Sequence, residues 1–190
     1  SHISIVDGYG NALSMTTTIE AAFGSRQMVN PLDPKAPGGF LLNNELTDFN
    51  FNPKDATGQL TANRVQPNKR PRSSMSPTLV FDKATGQLVM SVGSPGGAMI
   101  IHFTAKTLYG MLHWGLNAQQ AIDLPNFGSL NGPTLLEAGR FSPAVVQALK
   151  SRGHTVVEVP MASGLQAIAR TPTGFFGGAD PRREGVVLGD

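Results

Sequence analysis

The sequence contains no cysteine, and this absence excludes disulfides, thiolate metal sites and a cysteine nucleophile. It also lacks any apolar run close to the ~18 residues that a membrane-spanning helix needs. Basic residues exceed acidic ones only enough to give a formal net charge of +2. The basic cluster of Lys69, Arg70 and Arg72 is interrupted by Pro71 and is not interleaved with aromatic residues. We therefore expect no nucleic-acid binding.

The usual catalytic signatures are missing as well. The histidines, which are His2, His102, His113 and His154, form no zinc-binding pattern such as H-E-x-x-H. The run Gly93-Ser94-Pro95-Gly96 differs from the nucleophile motif G-x-S-x-G, because its first glycine directly precedes the serine. The chain has no phosphate-binding loop of the G-x-x-x-x-G-K-[ST] type. We expect no metal and no cofactor, and any nucleophile has to lie elsewhere.

Hydrophobic residues make up 40% of the chain and charged residues only 15%. A chain of 190 residues with this composition can bury a core of its own, and we predict a single domain over residues 1–190. The thinly charged surface favours burial of part of the chain against a partner. The chain starts without an initiator methionine on a strand-like run, residues 1–6, from which we expect a processed N-terminus.

Hydrophobic periodicity and turn residues predict hairpins combined with helices. We predict strands over 2–7, 12–18, 78–82, 87–93, 156–159, 165–170 and 174–179, a helix of about 17 residues that opens at Gly96-Gly97, a helix over 118–123, and a helix from Pro143 that ends at Gly153 and has Ser142 as its N-cap. Residues 50–77 are polar and aperiodic, which indicates a long functional or disordered loop. Hairpins followed by helices and further strands indicate an α+β fold.

Ser1 offers a nucleophile that needs no histidine. An α-amino group has an unperturbed pKa of about 7.7–8.0, so it can act near neutral pH as the general base for a hydroxyl on the same residue. A serine at this position proves little alone, and the hypothesis depends on the rest of the chain.

A series of short motifs along the chain supports the hypothesis of an N-terminal nucleophile. The motifs are His2-Ile3-Ser4-Ile5-Val6, Gly10-Asn11-Ala12, Thr16-Thr17-Thr18, Leu41-Leu42-Asn43-Asn44-Glu45 with Asp48-Phe49, Pro67-Asn68-Lys69-Arg70-Pro71, Ser73-Ser74-Met75-Ser76-Pro77-Thr78, Gly93-Ser94-Pro95-Gly96-Gly97 and Ala179-Asp180-Pro181-Arg182. Together they resemble the small, catalytic subunit of γ-glutamyltransferases over nearly the whole length of the chain. Each motif would be weak alone, and their number and order make the resemblance specific.

The resemblance implies a nucleophile at the N-terminus. In that family, autocleavage of a precursor exposes a threonine in the pattern Thr-[Thr/Ser/Ala]-His-x-Ser, and this chain matches the pattern from its second position onward. Successive residues of a strand face opposite sides, so moving the nucleophile onto Ser1 would aim its hydroxyl at the wrong face. We expect the nucleophilic threonine to precede Ser1. Ser1 itself as nucleophile, and a catalytically dead subunit, are the alternatives.

The resemblance also implies groups that orient the nucleophile and bind a substrate ammonium. Thr18 resembles the threonine whose hydroxyl bonds to the nucleophile, although a polar strand face would explain it too. Asp48 matches the carboxylate that receives the α-ammonium of a γ-glutamyl group through a charge-assisted contact. Glu20 stands where many relatives carry asparagine, and Glu45 aligns with a Gln or Glu position on the same side. We expect Asp48 to dominate among these acids.

Two further pairs match groups that bind the substrate carboxylate and the oxyanion. Ser73 and Ser74 resemble the serines that hydrogen-bond the α-carboxylate, with an arginine supplied by the large subunit; an ordinary turn is the alternative. Gly96 and Gly97 lie between an apolar strand and a helix, where backbone N–H groups can point at an anion. Two such donors suit the oxyanion of a tetrahedral intermediate, and a simple strand-to-helix turn is the alternative.

The implied fold is the four-layer αββα sandwich of N-terminal-nucleophile hydrolases, completed by a large subunit from the same precursor. The implied reaction transfers the acyl group of glutathione or another γ-glutamyl donor, through an acyl-enzyme, to water or an amino-acid acceptor without a cofactor. The resemblance implies a periplasmic or secreted, bacterial protein. Two alternatives stay open: an acylase of the same superfamily acting on glutaryl or cephalosporin side chains, and a dead subunit kept as a scaffold.

Overall fold

A computed structural model describes residues 1–33, 35 and 37–189. The chain forms two compact units. The first unit consists of Ser1–Thr16 and Ser74–Asp190, and the second of Thr17–Ser73. The chain therefore leaves the first unit once, after Thr16, and returns to it at Ser74.

The elements, in chain order, are β1 (His2–Val6), β2 (Ala12–Thr16), β3 (Met28–Val29), β4 (Phe40–Leu41), a 3₁₀ turn (Glu45–Asp48), β5 (Thr78–Phe81), β6 (Leu88–Gly93), a 3₁₀ turn (Gly97–Met99), α1 (Ile100–His113), α2 (Ala118–Asp123), β7 (Phe127–Gly128), β8 (Thr134–Glu137), α3 (Pro143–Ser151), β9 (Val156–Val159), β10 (Gln166–Thr171) and β11 (Gly174–Ala179). None of the helices among the described residues is long and apolar enough to cross a membrane.

The largest sheet of the first unit is covered on both faces. Strands β11, β10, β6 and β5 form an antiparallel sheet in that order. Val92 of this sheet belongs to the core that includes Phe103 of α1 and Ile122 of α2. Ser91, its neighbour in β6, donates a hydrogen bond of 2.9 Å to the hydroxyl of Ser4 in β1. Because successive side chains of a strand face opposite sides, the helices cover one face of the sheet and the β1–β2 hairpin covers the other.

The hairpin is shorter than the sequence predicts. Its turn is closed by Asp7, whose Oδ1 accepts hydrogen bonds from the backbone N–H groups of Tyr9 at 2.9 Å and Asn11 at 2.8 Å. Strand β2 ends at Thr16 and not at residue 18, and the second unit begins at Thr17. The polar side chains of β1 point inward, since His2 is buried while Ile3 is 41% exposed.

The helices begin and end where local signals predict. A 3₁₀ turn over Gly97–Met99 and helix α1 over Ile100–His113 together form the helix of about 17 residues that the sequence predicts to open at Gly96-Gly97. The side chain of Asn117 and that of Gln120 form a capping box at the start of α2. Ser142 caps α3 by accepting a hydrogen bond from the N–H of Val145, with proline at the first turn as expected.

Strands β7, β8 and β9 form a separate sheet in which β8 and β9 are parallel. The sequence does not predict β7 and β8, because a two-residue strand and a four-residue parallel partner leave no period to detect. In the second unit, β3 and β4 pair with each other and were also missed. Residues 50–77, all of which the structure describes, contain isolated bridges but no regular strand or helix, so the predicted long loop is confirmed.

Candidate active site

The imidazole of His2 holds the N-terminal strand against the end of β6. The ring is only 7% exposed, and its Nδ1 lies 2.8 Å from Thr16 Oγ1 while Nε2 lies 3.2 Å from Ser4 Oγ. Burial, and then the charge of the N-terminus, lowers the pKa of His2 to about 4. The ring is therefore neutral at pH 7, with one nitrogen donating and the other accepting.

An α-amino group at Ser1 would lie next to this ring in sequence. Burial, and then the charge of Arg183, would lower the pKa of such a group below its ordinary value. A lowered pKa leaves more of an amine unprotonated near pH 7, and an unprotonated amine can accept the proton of a nearby hydroxyl. The surroundings of Ser1 would thus suit an amine that acts as a general base, and that role stays a prediction.

Gly96 and Gly97 connect β6 to α1 and adopt backbone angles that favour glycine. Their φ angles are 146° and 58°. A Cβ on Gly96 would lie 2.5 Å from Cε2 of Phe103, so no other residue fits there without displacing that ring. Among the described residues, no side chain caps the 3₁₀ turn that begins at Gly97. A backbone N–H at the start of such a turn can bind an anion.

The second unit brings together the three acids that the sequence predicts to bind an ammonium group, Glu20, Glu45 and Asp48. Glu20 Oε2 accepts a hydrogen bond from Asn44 Nδ2 and another, of 3.1 Å, from Thr47 Oγ1. Burial raises the pKa of Glu45, and so do its hydrogen bond with Asp48 and the negative charges of Asp48 and Glu20. Carboxylates that repel each other in this way attract a cation, and binding of the cation reduces their mutual repulsion.

Thr18 and Glu20 form a local turn in this unit. The hydroxyl of Thr18 accepts a hydrogen bond of 2.8 Å from the N–H of Glu20, which leaves its own proton available for another acceptor. Glu20 has a φ of 69°, a left-handed conformation that asparagine adopts more readily than glutamate. The role of Thr18 in orienting a nucleophile stays a prediction.

The serine pair lies where the chain passes from one unit to the other. Ser73 ends the second unit and is exposed, whereas Ser74 opens the returning part of the first unit and is half-buried. Their proposed contact with a carboxylate stays a prediction. Among the described residues, no group of three or more His, Cys, Asp or Glu side chains is placed to hold a metal ion.

Comparison with known proteins identifies the family. The whole chain, residues 1–190, matches the family model described as Gamma-glutamyltranspeptidase. A relative from Pseudomonas sp. (strain A14), named glutathione hydrolase proenzyme, is 38% identical over 206 residues, covering 100% of this chain and 34% of the relative. This chain belongs to the gamma-glutamyltranspeptidase family. The chain spans about a third of the length of the curated relatives it matches.

Solved structures of the family support the same conclusion. Gamma-glutamyltranspeptidase from Pseudomonas nitroreducens, complexed with L-DON, has a TM-score of 0.84 and 30% identity over 100% of this chain and 98% of that chain. A more distant relative, Acylase ACY 1 proenzyme from Pseudomonas sp. (strain SE83), is 30% identical over 181 residues, covering 94% of this chain and 30% of the relative. The predicted α+β fold of the N-terminal-nucleophile hydrolase type is confirmed.

Sequence reasoning missed several groups around the candidate site of this gamma-glutamyltranspeptidase family chain. It gave no role to the buried ring of His2, to Ser94 or to Asp180, although all three lie in the motifs that carried the resemblance. The one available signal was their polarity within apolar or glycine-rich surroundings. That signal cannot tell a buried, hydrogen-bonded side chain from a solvated one.

Proposed function

We propose that this chain is the catalytic part of an enzyme that takes the γ-glutamyl group from glutathione or a related donor and passes it to water or an amino-acid acceptor. The observation that carries the proposal is the cluster of Glu20, Glu45 and Asp48 in the second unit, in which burial, and then the hydrogen bond with Asp48 and the nearby negative charges, raise the pKa of Glu45. A γ-glutamyl donor has an α-ammonium that such a cluster would bind. Family membership supports the same chemistry.

The nucleophile in this proposal is a hydroxyl at the N-terminal end of β1, carried by Ser1 or by a threonine before it. The hydroxyl oxygen attacks the γ-carbonyl carbon while the α-amino group takes the proton. Backbone N–H groups of Gly96 and Gly97 stabilise the resulting oxyanion. The intermediate collapses, the donor's amine leaves with the proton, and an ester joins the γ-glutamyl group to the enzyme. Water or an amino acid then attacks this ester by the reverse sequence.

Asp48 is the principal partner of the donor's α-ammonium in this proposal. Glu45 shares a hydrogen bond with Asp48, and an arriving cation would favour the charged form of Glu45. Ser73 and Ser74 hydrogen-bond the α-carboxylate. Neither hydroxyl carries charge, so the balancing cation comes from the rest of the precursor.

That rest of the precursor is the proposed partner, a large subunit cleaved from the same polypeptide. The names of the relatives mark them as proenzymes. The outer face of the β1–β2 hairpin consists of apolar side chains that are each about 40–50% exposed: Ile3, Ile5, Leu13 and Met15. An exposed apolar face of this kind favours burial against protein. We propose that the large subunit covers it, that residues 1–190 act as one small-subunit domain, and that the enzyme is periplasmic or secreted, as the bacterial relatives suggest.

An acylase function is the second candidate, favoured by the 30% identity to Acylase ACY 1 proenzyme. Two anilides with the same leaving group separate the candidates when tested on the full precursor-derived enzyme. A γ-glutamyl anilide carries the α-ammonium and a glutaryl anilide lacks it. The proposed function predicts that kcat/KM favours the γ-glutamyl donor by about one to two orders of magnitude. Preference for the glutaryl donor would establish an acylase, and turnover of neither by the processed protein would indicate a scaffold.

A further inference from the structure

The motif Ala179-Asp180-Pro181-Arg182 has no part in the chemistry proposed above, yet Asp180 is 2% exposed. Its Oδ2 accepts hydrogen bonds from the hydroxyl of Ser163 and from the N–H of Leu165 at 3.0 Å. Its Oδ1 accepts from the N–H of Arg182 at 3.0 Å and from Arg182 Nη1 at 3.1 Å. Burial alone would raise the pKa of Asp180, and these donors hold it below its ordinary value. The carboxylate is thus charged and fully bonded.

Arg182, which donates to Oδ1 of Asp180, is itself held by several further hydrogen bonds. Its Nε and Nη2 donate to the two oxygens of Glu137 at 2.6 and 2.8 Å. Nη1 and Nη2 also donate to the backbone carbonyls of Ile122 and Leu124, at the end of α2. A planar guanidinium held by two carboxylates and two carbonyls has little freedom to move. Asp180 is therefore anchored to α2 and β8 through Arg182.

The segment that Asp180 holds reaches the turn containing Gly96 and Gly97. The N–H of Gly164, between the two residues that donate to Asp180, donates a hydrogen bond of 3.1 Å to Ser94 Oγ. Ser94 is completely buried, and its hydroxyl donates to the carbonyl of Pro95 at 2.6 Å. A Cβ on Gly164 would lie 2.8 Å from Cγ of Pro95, so the two segments are in direct contact.

The bond to the Pro95 carbonyl determines where the next N–H points. The carbonyl of Pro95 and the N–H of Gly96 belong to one peptide group, and the described residues contain no cis peptide bond. In a planar trans peptide the C=O and N–H point in opposite directions. Holding the carbonyl of Pro95 therefore holds the N–H of Gly96, one of the two proposed oxyanion donors.

We infer that Asp180, Ser163 and Ser94 are positioning residues that orient the Gly96 N–H toward the oxyanion. The inference rests on the proposed function of Gly96 and Gly97 but not on the identity of the acyl donor. Asp180 acts through geometry and not through its field, because a negative charge would oppose an oxyanion. Loss of the Ser94 hydroxyl would free the Pro95–Gly96 peptide to rotate.

The test compares Ser94→Ala and Ser163→Ala in the full precursor-derived enzyme, with rates expressed per processed N-terminus. Removing a single oxyanion donor costs about 10²–10³ in kcat, and a misdirected donor should cost about tenfold to a hundredfold. KM for the anilide donor should change by less than about threefold, because the loss is confined to the transition state. The matched control is Thr107→Val, which removes an equally buried hydroxyl bonded to the carbonyl of Phe103 within α1.

The inference is overturned if both serine variants keep kcat within about twofold of the parent, or if Thr107→Val lowers kcat as much for the same loss of Tm. A rise in KM at constant kcat would also overturn it, since that marks lost substrate binding. If Ser94→Ala fails to process, Ser163→Ala and Asp180→Asn carry the test. Failure of the proposed function is distinguishable: the parent would then prefer the glutaryl donor, and the same variants would be compared with that donor.

Discussion

The ring of His2 occupies the place where a side chain on Gly93 would stand: a Cβ there would lie 2.2 Å from Cε1 and 2.4 Å from Nδ1 of the imidazole. This contact joins the strand that carries the N-terminus to the last residue of β6, three positions before Gly96. Since no real Cβ approaches other atoms so closely, position 93 requires glycine for packing.

Replacing Gly93 with alanine should therefore displace His2 and loosen β1. Overpacking of a buried contact typically costs about 1–3 kcal/mol of stability, and we expect a lower Tm together with reduced kcat. Gly8→Ala is the matched control, because a Cβ at Gly8 in the same hairpin meets nothing within 4 Å. Thermal unfolding and anilide turnover measure both effects. Equal Tm and activity in the two variants would show that the ring moves aside without consequence.

His2 should also make stability depend on pH. Its pKa is about 4 when folded against 6.5 for the free side chain, so between these values the unfolded chain binds a proton that the folded chain does not. The free energy of unfolding must then fall as pH drops from 6.5 to 4. In His2→Gln this contribution disappears, and the difference between the two Tm-against-pH curves measures it. Parallel curves for parent and variant would contradict the assignment.

Asp48→Asn should discriminate between donors. Losing a charge-assisted hydrogen bond costs about 1.5–3 kcal/mol, which corresponds to one to two orders of magnitude in kcat/KM for a γ-glutamyl anilide. Turnover of the glutaryl anilide should be unchanged or improved. Asp55→Asn serves as control, because Asp55 is an exposed acid of the same unit whose Oδ1 caps a local turn through Thr57. An equal loss on both donors would assign Asp48 a structural role.

The outer hairpin face provides a test of the partner. Ile5 and Leu13 are directly opposite each other in the hairpin and are 49% and 42% exposed. Placing a charge there, as in Leu13→Lys, should weaken association with the large subunit, because the charge would lose its water on binding. Native mass spectrometry should show more free small chain than for the parent. Tyr9→Lys, at a 94% exposed turn position, should leave the complex intact.

Much of the fold could be predicted because the decisive signals are local. The N-cap Ser142 and the proline after it define the start of α3 within a few residues. The bounds of β9 and β11 also agree with the prediction. Strand β8 was missed because its stability comes from parallel pairing with β9, about twenty residues further along, and short-range periodicity does not report such pairing.

Prediction of the candidate site residues depended more heavily on the family resemblance than prediction of the fold did. Glu20 and Glu45 lie far apart in sequence, and the amide of Asn44, which donates to Glu20, is what connects them. No local pattern predicts that connection. Within the hairpin, the apolar alternation of Ile3 and Ile5 would favour burial of those residues, whereas His2 and Ser4 face inward. For a strand whose exposed face is apolar, the hydrophobic pattern therefore predicts the wrong face as the buried one.

The excursion of the chain between Thr16 and Ser74 has an evolutionary consequence. Strand β2 ends where the second unit begins, strand β5 follows soon after it ends, and these two strands are in contact within the first unit. The strand registers of the first unit are fixed by pairs inside that unit. We therefore expect that insertions and deletions can accumulate within residues 17–73 without disturbing the strand registers of the first unit.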